Sequence, residues 1–109
     1  MREYYSTYSK ELVFILDEDG DNYSSFDKAI EYIDKNTHNT SRDFKHDFID
    51  GGNGFFIIDG ITIKISCTNW DGTELRIEKD LLSESDLFKV RKLALEIYNF
   101  IHNNSSPQD

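Results

Sequence analysis

The chain has 109 residues, with 21 Asp and Glu against 12 Lys and Arg, which gives a formal net charge of −9 at pH 7. So acidic a surface repels phosphate and anionic lipid, which argues against nucleic acid and membranes as partners and favours a basic protein. The length fits a single domain over residues 1–109, and the content of 38% hydrophobic residues is too high for a disordered acidic tail.

The first strand and the first helix are predicted on the two sides of an acidic turn. Residues 1–10 are polar and rich in tyrosine, which is typical either of a loose arm or of a short edge strand. Glu11–Asp17 is an apolar run bounded by acids, which predicts a buried strand. A helix is predicted next, capped by Ser24 or Ser25 and ending near Asn36. Its apolar face has helical spacing and consists of Phe26, Ala29, Ile30 and Ile33.

Residues 37–54 are the least regular part of the chain. Turn-forming residues are mixed there with Phe44, Phe48 and Ile49. Because a connection of this length without structure is uncommon, we expect either a short helix or strand around residues 42–50, or a functional loop.

The clearest local signal is Asp59–Gly60 between two apolar runs, which predicts a β-hairpin with a type I′ turn. A second turn over residues 68–72 leads to a strand over residues 73–79. Alternation assigns eight residues to the buried face of these strands: Phe56, Ile58, Ile61, Ile63, Ile65, Cys67, Leu75 and Ile77. Six polar residues are expected on the other face, which meets solvent or a partner: Thr62, Lys64, Ser66, Glu74, Arg76 and Glu78. Phe55 and Ile57 fall on that face too, either covered by the preceding loop or exposed.

The chain closes with a predicted helix from about Glu84 to His102, with Ser83 as its N-cap. Residues 103–109 form a polar tail that we expect to fray. The apolar stripe of the helix consists of Leu87, Val90, Ala94, Ile97 and Ile101, widened by Phe88, Leu93 and Phe100. The order β-α-loop-β-β-β-α predicts an α+β fold, with an antiparallel sheet of about four strands and two amphipathic helices packed on one face.

No motif assembles a catalytic or metal-binding centre. Asp17–Asp21 resembles the start of an EF-hand calcium loop, but the sixth position is Asn22 and the twelfth is Lys28. Cys67, the single cysteine, lies in an apolar strand, where a buried core residue is expected. We therefore predict no metal, no cofactor and no enzymatic activity. Because the N-terminal sequence lacks the segments of a secretory signal peptide, we also predict a cytoplasmic protein.

Three acidic clusters and one tryptophan are the features that favour a function. Trp70, at the tip of a turn, is expected either to fold back onto the core or to stand exposed as an interface anchor. Acidic side chains around it would attract a basic partner and speed its association. The predicted contact residues are Asp17, Glu18, Asp19, Asp21, Asp43, Asp47, Asp50, Trp70 and Asp71.

The small size, the acidic balance, the meander with its Asp59–Gly60 hairpin, the turn at residues 69–72 and the terminal helix resemble in style the immunity proteins of bacterial toxin–immunity pairs, including the contact-dependent growth-inhibition type. No diagnostic motif carries this resemblance, and it assigns no functional residue. It implies an antidote that binds one cognate basic toxin domain and blocks its active site. Because nuclease active sites are cationic, we expect the toxin to be a nuclease.

Two other functions are compatible with the same composition. One is a nucleic-acid mimic from a phage or mobile element, which would inhibit a host enzyme that binds DNA or RNA. The other is a small ligand-binding domain with a pocket under residues 37–54. We expect the protein to be a monomer or a weak homodimer, the latter formed through the sheet face that carries Phe55 and Ile57.

Overall fold

The computed structural model describes residues 1–19, 23–37, 39–47, 51–68 and 70–103. This part of the chain forms six β-strands, two α-helices and one turn of 3₁₀ helix. In chain order they are β1 (Arg2–Ser6), β2 (Glu11–Asp17), α1 (Tyr23–Asn36), β3 (Asn39–Asp47), β4 (Gly51–Ile58), β5 (Ile61–Thr68), β6 (Gly72–Glu78), the 3₁₀ turn (Lys79–Leu81) and α2 (Glu84–Asn103).

The strands form one antiparallel sheet in the order β1-β2-β6-β5-β4-β3. Helix α1 carries the chain from β2 to β3 at the far edge, and the meander from β3 to β6 then returns until β6 pairs with β2. The predicted α+β class with an antiparallel sheet is confirmed. The sheet has six strands rather than about four, because two stretches without a regular apolar pattern, residues 2–6 and 39–47, are also strands of it.

The hairpin between β4 and β5 forms as predicted. Asp59 and Gly60 have φ angles of 53° and 81°, and positive values at both positions are what a type I′ turn requires. Ile58 pairs with Ile61. All eight residues that alternation assigned to the inner face are buried, and they form one core with the apolar faces of α1 and α2.

Both helices have the predicted extent, but only the cap predicted for α2 forms. Ser83 caps α2, because its Oγ accepts a hydrogen bond from the Asp86 amide at 3.1 Å. Helix α1 already begins at Tyr23, so Ser24 and Ser25 lie inside its first turn instead of capping it. The expected place of Phe88 in the apolar stripe of α2 is also wrong, since it is 71% exposed. It lies two positions from buried Val90, about 200° around the helix.

The two irregular stretches are the edge strands of the sheet. Residues 2–6 form β1, with Tyr4 paired to Val13, and are not a loose arm. Residues 39–47 form β3 at the opposite edge, so residues 37–54 are not one long loop. The predicted tail lies outside the described residues, apart from Asn103, which ends α2.

The sheet face that neither helix covers is less open than predicted. Ser66 and Glu74, expected to meet solvent or a partner, are only 7% and 3% exposed. The prediction fails because these two residues are direct cross-strand neighbours, and the long side chain of Arg76 lies over the Glu74 carboxylate. On the same face Phe55 is 40% exposed and Ile57 is half-buried.

Candidate partner-binding surface

Two of the predicted contact segments lie on neighbouring strands at one end of the sheet. Strand β2 ends there at Asp17, which pairs with Thr73 of β6. The turn that carries Trp70 and Asp71 lies at the same end, because it joins β5 to β6. We call Asp17, Glu18, Asp19, Trp70 and Asp71 together the acidic end.

Gly72 allows the two segments of the acidic end to approach each other. Its φ is 77°, and a Cβ at this position would lie 2.0 Å from the carbonyl oxygen of Asp17. Only glycine accommodates both the positive φ and this backbone contact. The Asp71–Gly72 pair in the sequence indicates a turn, but it does not indicate which segment Gly72 contacts.

Trp70 stands away from the core, so it does not fold back onto the core and is instead exposed, as the second of the two expectations had it. The residue is 90% exposed, and its neighbour Asp71 is exposed as well. The turn itself is held in place, because Thr68 Oγ1 accepts a hydrogen bond from the Asp71 amide at 2.9 Å. An exposed indole on a fixed turn is suited to anchor an interface, since tryptophan is enriched among the residues that dominate binding energy.

Asp17 has a structural role that distinguishes it from the other acids at this end. Its half-buried carboxylate accepts hydrogen bonds from Ser25 Oγ in α1 and, at 3.0 Å, from the Asp19 amide. It therefore ties the end of β2 to the first turn of α1. Glu18 and Asp19 are exposed, so they and Asp71 are the carboxylates that a partner can reach.

The remaining predicted contact residues are not part of the acidic end. Asp47 ends β3 at the same end of the sheet, because it pairs with Gly51, which in turn pairs with Thr68, but β3 is the edge strand beyond β4. Asp43 lies within β3, opposite Phe55 and away from that end. Asp21 and Asp50 lie outside the described residues.

Sequence reasoning missed a charge network on the face that neither helix covers. Arg76 donates from Nη1 to Glu11 Oε1 at 2.9 Å and from Nε to Glu74 Oε1 at 3.0 Å. Lys64 Nζ lies 3.7 Å from Glu11 Oε2. Two cations and two carboxylates therefore neutralise each other around the direct cross-strand pair of Lys64 and Arg76.

The network shifts the pKa values of its two acids in opposite directions. Burial alone would raise the pKa of Glu11, but the hydrogen bond from Arg76 and the charge of Lys64 outweigh it and lower that pKa. Burial raises the pKa of Glu74 above its ordinary value, although Arg76 opposes the shift. Glu74 therefore depends on the guanidinium to remain ionised inside the sheet.

A cleft begins where this network ends. The pairing of β5 with β6 runs from Thr68 and Gly72 to Lys64 and Arg76 and stops there. Beyond that pair β5 continues along β4 and β6 continues along β2, so the two strands separate. The cavity between them has a volume of about 320 Å³. Side chains of β2, β4, β5 and β6 and of the segment that leads into α2 line it, among them Glu11, Phe55, Thr62, Ile77, Glu78, Leu82 and Asp86.

No protein-family model, curated protein or solved structure matches this chain. Within the described residues, neither helix combines the length and the apolar character that a membrane span needs. The same part of the chain contains no group of three or more His, Cys, Asp or Glu side chains placed to hold a metal ion.

Proposed function

We propose that this protein is an acidic inhibitor of the immunity type, which binds a cognate basic toxin domain and occludes its active site. The observation that carries the proposal is the acidic end, where a 90% exposed tryptophan stands among exposed carboxylates from two neighbouring strand ends. The partner we infer is a bacterial nuclease, because a phosphate-binding site presents the cationic cleft that such a surface complements. In this account the protein has no enzymatic activity of its own and acts in the cytoplasm.

The net charge, the exposed carboxylates and Trp70 contribute to binding in different ways in this account. The net charge of −9 attracts a basic domain over a distance, and the exposed carboxylates of Glu18, Asp19 and Asp71 orient it near contact. Trp70 then supplies apolar area that a purely electrostatic encounter lacks. Asp17 contributes indirectly, since it holds the end of β2 against α1.

The test is capture of partners by the tagged protein from lysate of its own source, at low and then at moderate salt. A single basic protein retained at moderate salt is then assayed for nucleic-acid cleavage, with and without an equimolar amount of the inhibitor. We expect cleavage to be suppressed at a one-to-one ratio. Release of many basic proteins together by salt would contradict the proposal, because it indicates nonspecific attraction.

Competition with polynucleotide separates the proposal from nucleic-acid mimicry. A mimic binds several unrelated basic proteins, and DNA or RNA displaces it from all of them. A cognate inhibitor keeps one partner, whose binding depends on Trp70.

A further inference from the structure

We propose that the cleft between β5 and β6 is a second binding site, which takes the cationic end of an amphipathic group such as an arginine side chain. It lies at the end of these strands opposite the acidic end, since β5 starts and β6 finishes there. The inference therefore does not depend on the proposed inhibitor function. It follows from the shape, the charge and the wall composition of the cleft.

The shape comes from the way the sheet divides. Ile61 and Thr62 pair with β4, while Ile77 and Glu78 pair with β2, and no pairing joins these two sets of residues. The strands are therefore held apart by their outer neighbours, and the opening lies between them. A volume of about 320 Å³ lies at the lower end of the range typical of small-molecule sites.

The charge of the cleft favours a cation. At its inner end, Lys64 and Arg76 are neutralised by Glu11 and Glu74. Glu78 and Asp86 also line the cleft, and no ion pair joins either of them to a cation in the described part of the chain. Three carboxylates, those of Glu11, Glu78 and Asp86, thus line the cleft against two cations, and Arg76 is also paired with Glu74 outside the lining.

The walls suit the apolar portion of the same group. Phe55, which is 40% exposed, and half-buried Leu82 contribute the accessible apolar surface, with buried Ile61 and Ile77 behind them. A guanidinium can stack on an exposed aromatic ring while it pairs with carboxylates, and its methylene stem can lie along the aliphatic side chains. A small inorganic cation would use none of this apolar surface.

The probe is N-acetyl-arginine methylamide, titrated into the full-length ¹⁵N-labelled protein and followed by the amide spectrum. We expect saturable shifts at Thr62, Lys64, Glu78 and Leu82, with a dissociation constant of about 1 mM. Glu78→Gln and Asp86→Asn should each weaken binding roughly two- to fivefold. Asp34→Asn, an exposed acid on α1, is the matched control and should leave the affinity unchanged.

Two further probes make the result decisive. The N-acetylated methylamides of norleucine and glutamate test apolar and anionic binding in the same cleft. The proposal is overturned if the arginine probe shifts no cleft amide, if either other probe binds as tightly, or if Asp34→Asn weakens binding as much as Glu78→Gln. Trp70→Ala should not affect this titration. The experiment therefore distinguishes failure of the proposed cleft site from failure of the proposed inhibitor function.

Discussion

Gly72 approaches the backbone of Asp17 so closely that a Cβ on the glycine would lie 2.0 Å from the Asp17 carbonyl oxygen. This contact joins the turn that carries Trp70 to the end of β2, two segments far apart in the sequence. The acidic end exists as one surface because β6 begins at a residue without a side chain.

Gly72→Ala should therefore lower the free energy of unfolding by more than about 2 kcal/mol, from the positive φ and the steric clash together. Gly60→Ala is the matched control, because Gly60 has a φ of 81° but no atom within 4 Å of an added Cβ. Its cost should be about 1 kcal/mol, from the φ alone. Urea denaturation of both variants measures the difference, and equal losses would contradict the close approach.

Asp17 should prove a structural residue. Asp17→Ala removes the acceptor for Ser25 Oγ and the Asp19 amide, and we expect it to cost about 1–3 kcal/mol. Glu18→Ala removes an exposed carboxylate at the next position and should change stability by less than about 0.5 kcal/mol. Thermal or urea unfolding tests the pair, and an Asp17→Ala variant as stable as Glu18→Ala would refute the assignment.

Arg76→Met should destabilise the protein in a pH-dependent way. The substitution leaves the Glu74 carboxylate buried without its guanidinium, at a cost of about 3–5 kcal/mol near pH 7. A raised folded-state pKa means that this penalty is absent below the unfolded pKa and grows as pH rises through the folded pKa. The pKa of Glu11 is shifted the other way, but the consequence has the same direction, since the stability that its lowered pKa contributes is present above the unfolded pKa and lost as pH falls through the folded pKa.

Urea denaturation of the wild type and of Arg76→Met between about pH 7 and 4.5 checks this, because both effects reduce the difference at low pH. On the Arg76→Met background, Glu74→Gln should recover part of the loss at pH 7. A difference in unfolding free energy that stays constant over this range would show that Glu74 does not depend on Arg76.

Much of the fold could be predicted, since its signals are local. The β4–β5 hairpin follows from Asp59–Gly60 and from alternation, and α2 follows from helical spacing behind Ser83. For the edge strands β1 and β3 the sequence left alternatives open, a loose arm for β1 and a short helix or a functional loop for β3, because an edge strand needs no buried apolar face and shows no alternation.

The site was less accessible to sequence reasoning. The clusters around Asp17 and Trp70 could be identified as candidates, but their proximity depends on the pairing of β2 with β6. Burial of Glu74 likewise depends on Arg76 and on its neighbours across the strands, none of which a single strand pattern reveals. The exposure of Trp70 is a property of the folded turn.

The measurement that tests the central claim most directly is the binding kinetics of the captured basic partner with three forms of this protein. The first is the wild type, and the second carries Trp70→Ala with Glu18→Lys, Asp19→Lys and Asp71→Lys. The third is a matched control with the same change in charge and the loss of one exposed aromatic elsewhere, namely Phe88→Ala with Asp34→Lys, Asp80→Lys and Glu84→Lys.

Loss of local charge should slow association, and loss of the tryptophan should speed dissociation, so the acidic-end variant should bind at least about 100-fold more weakly than the control. The control itself should lose affinity only modestly, through its smaller net charge. Equal affinities of the two variants would contradict the account, because binding would then depend on overall charge and not on the acidic end.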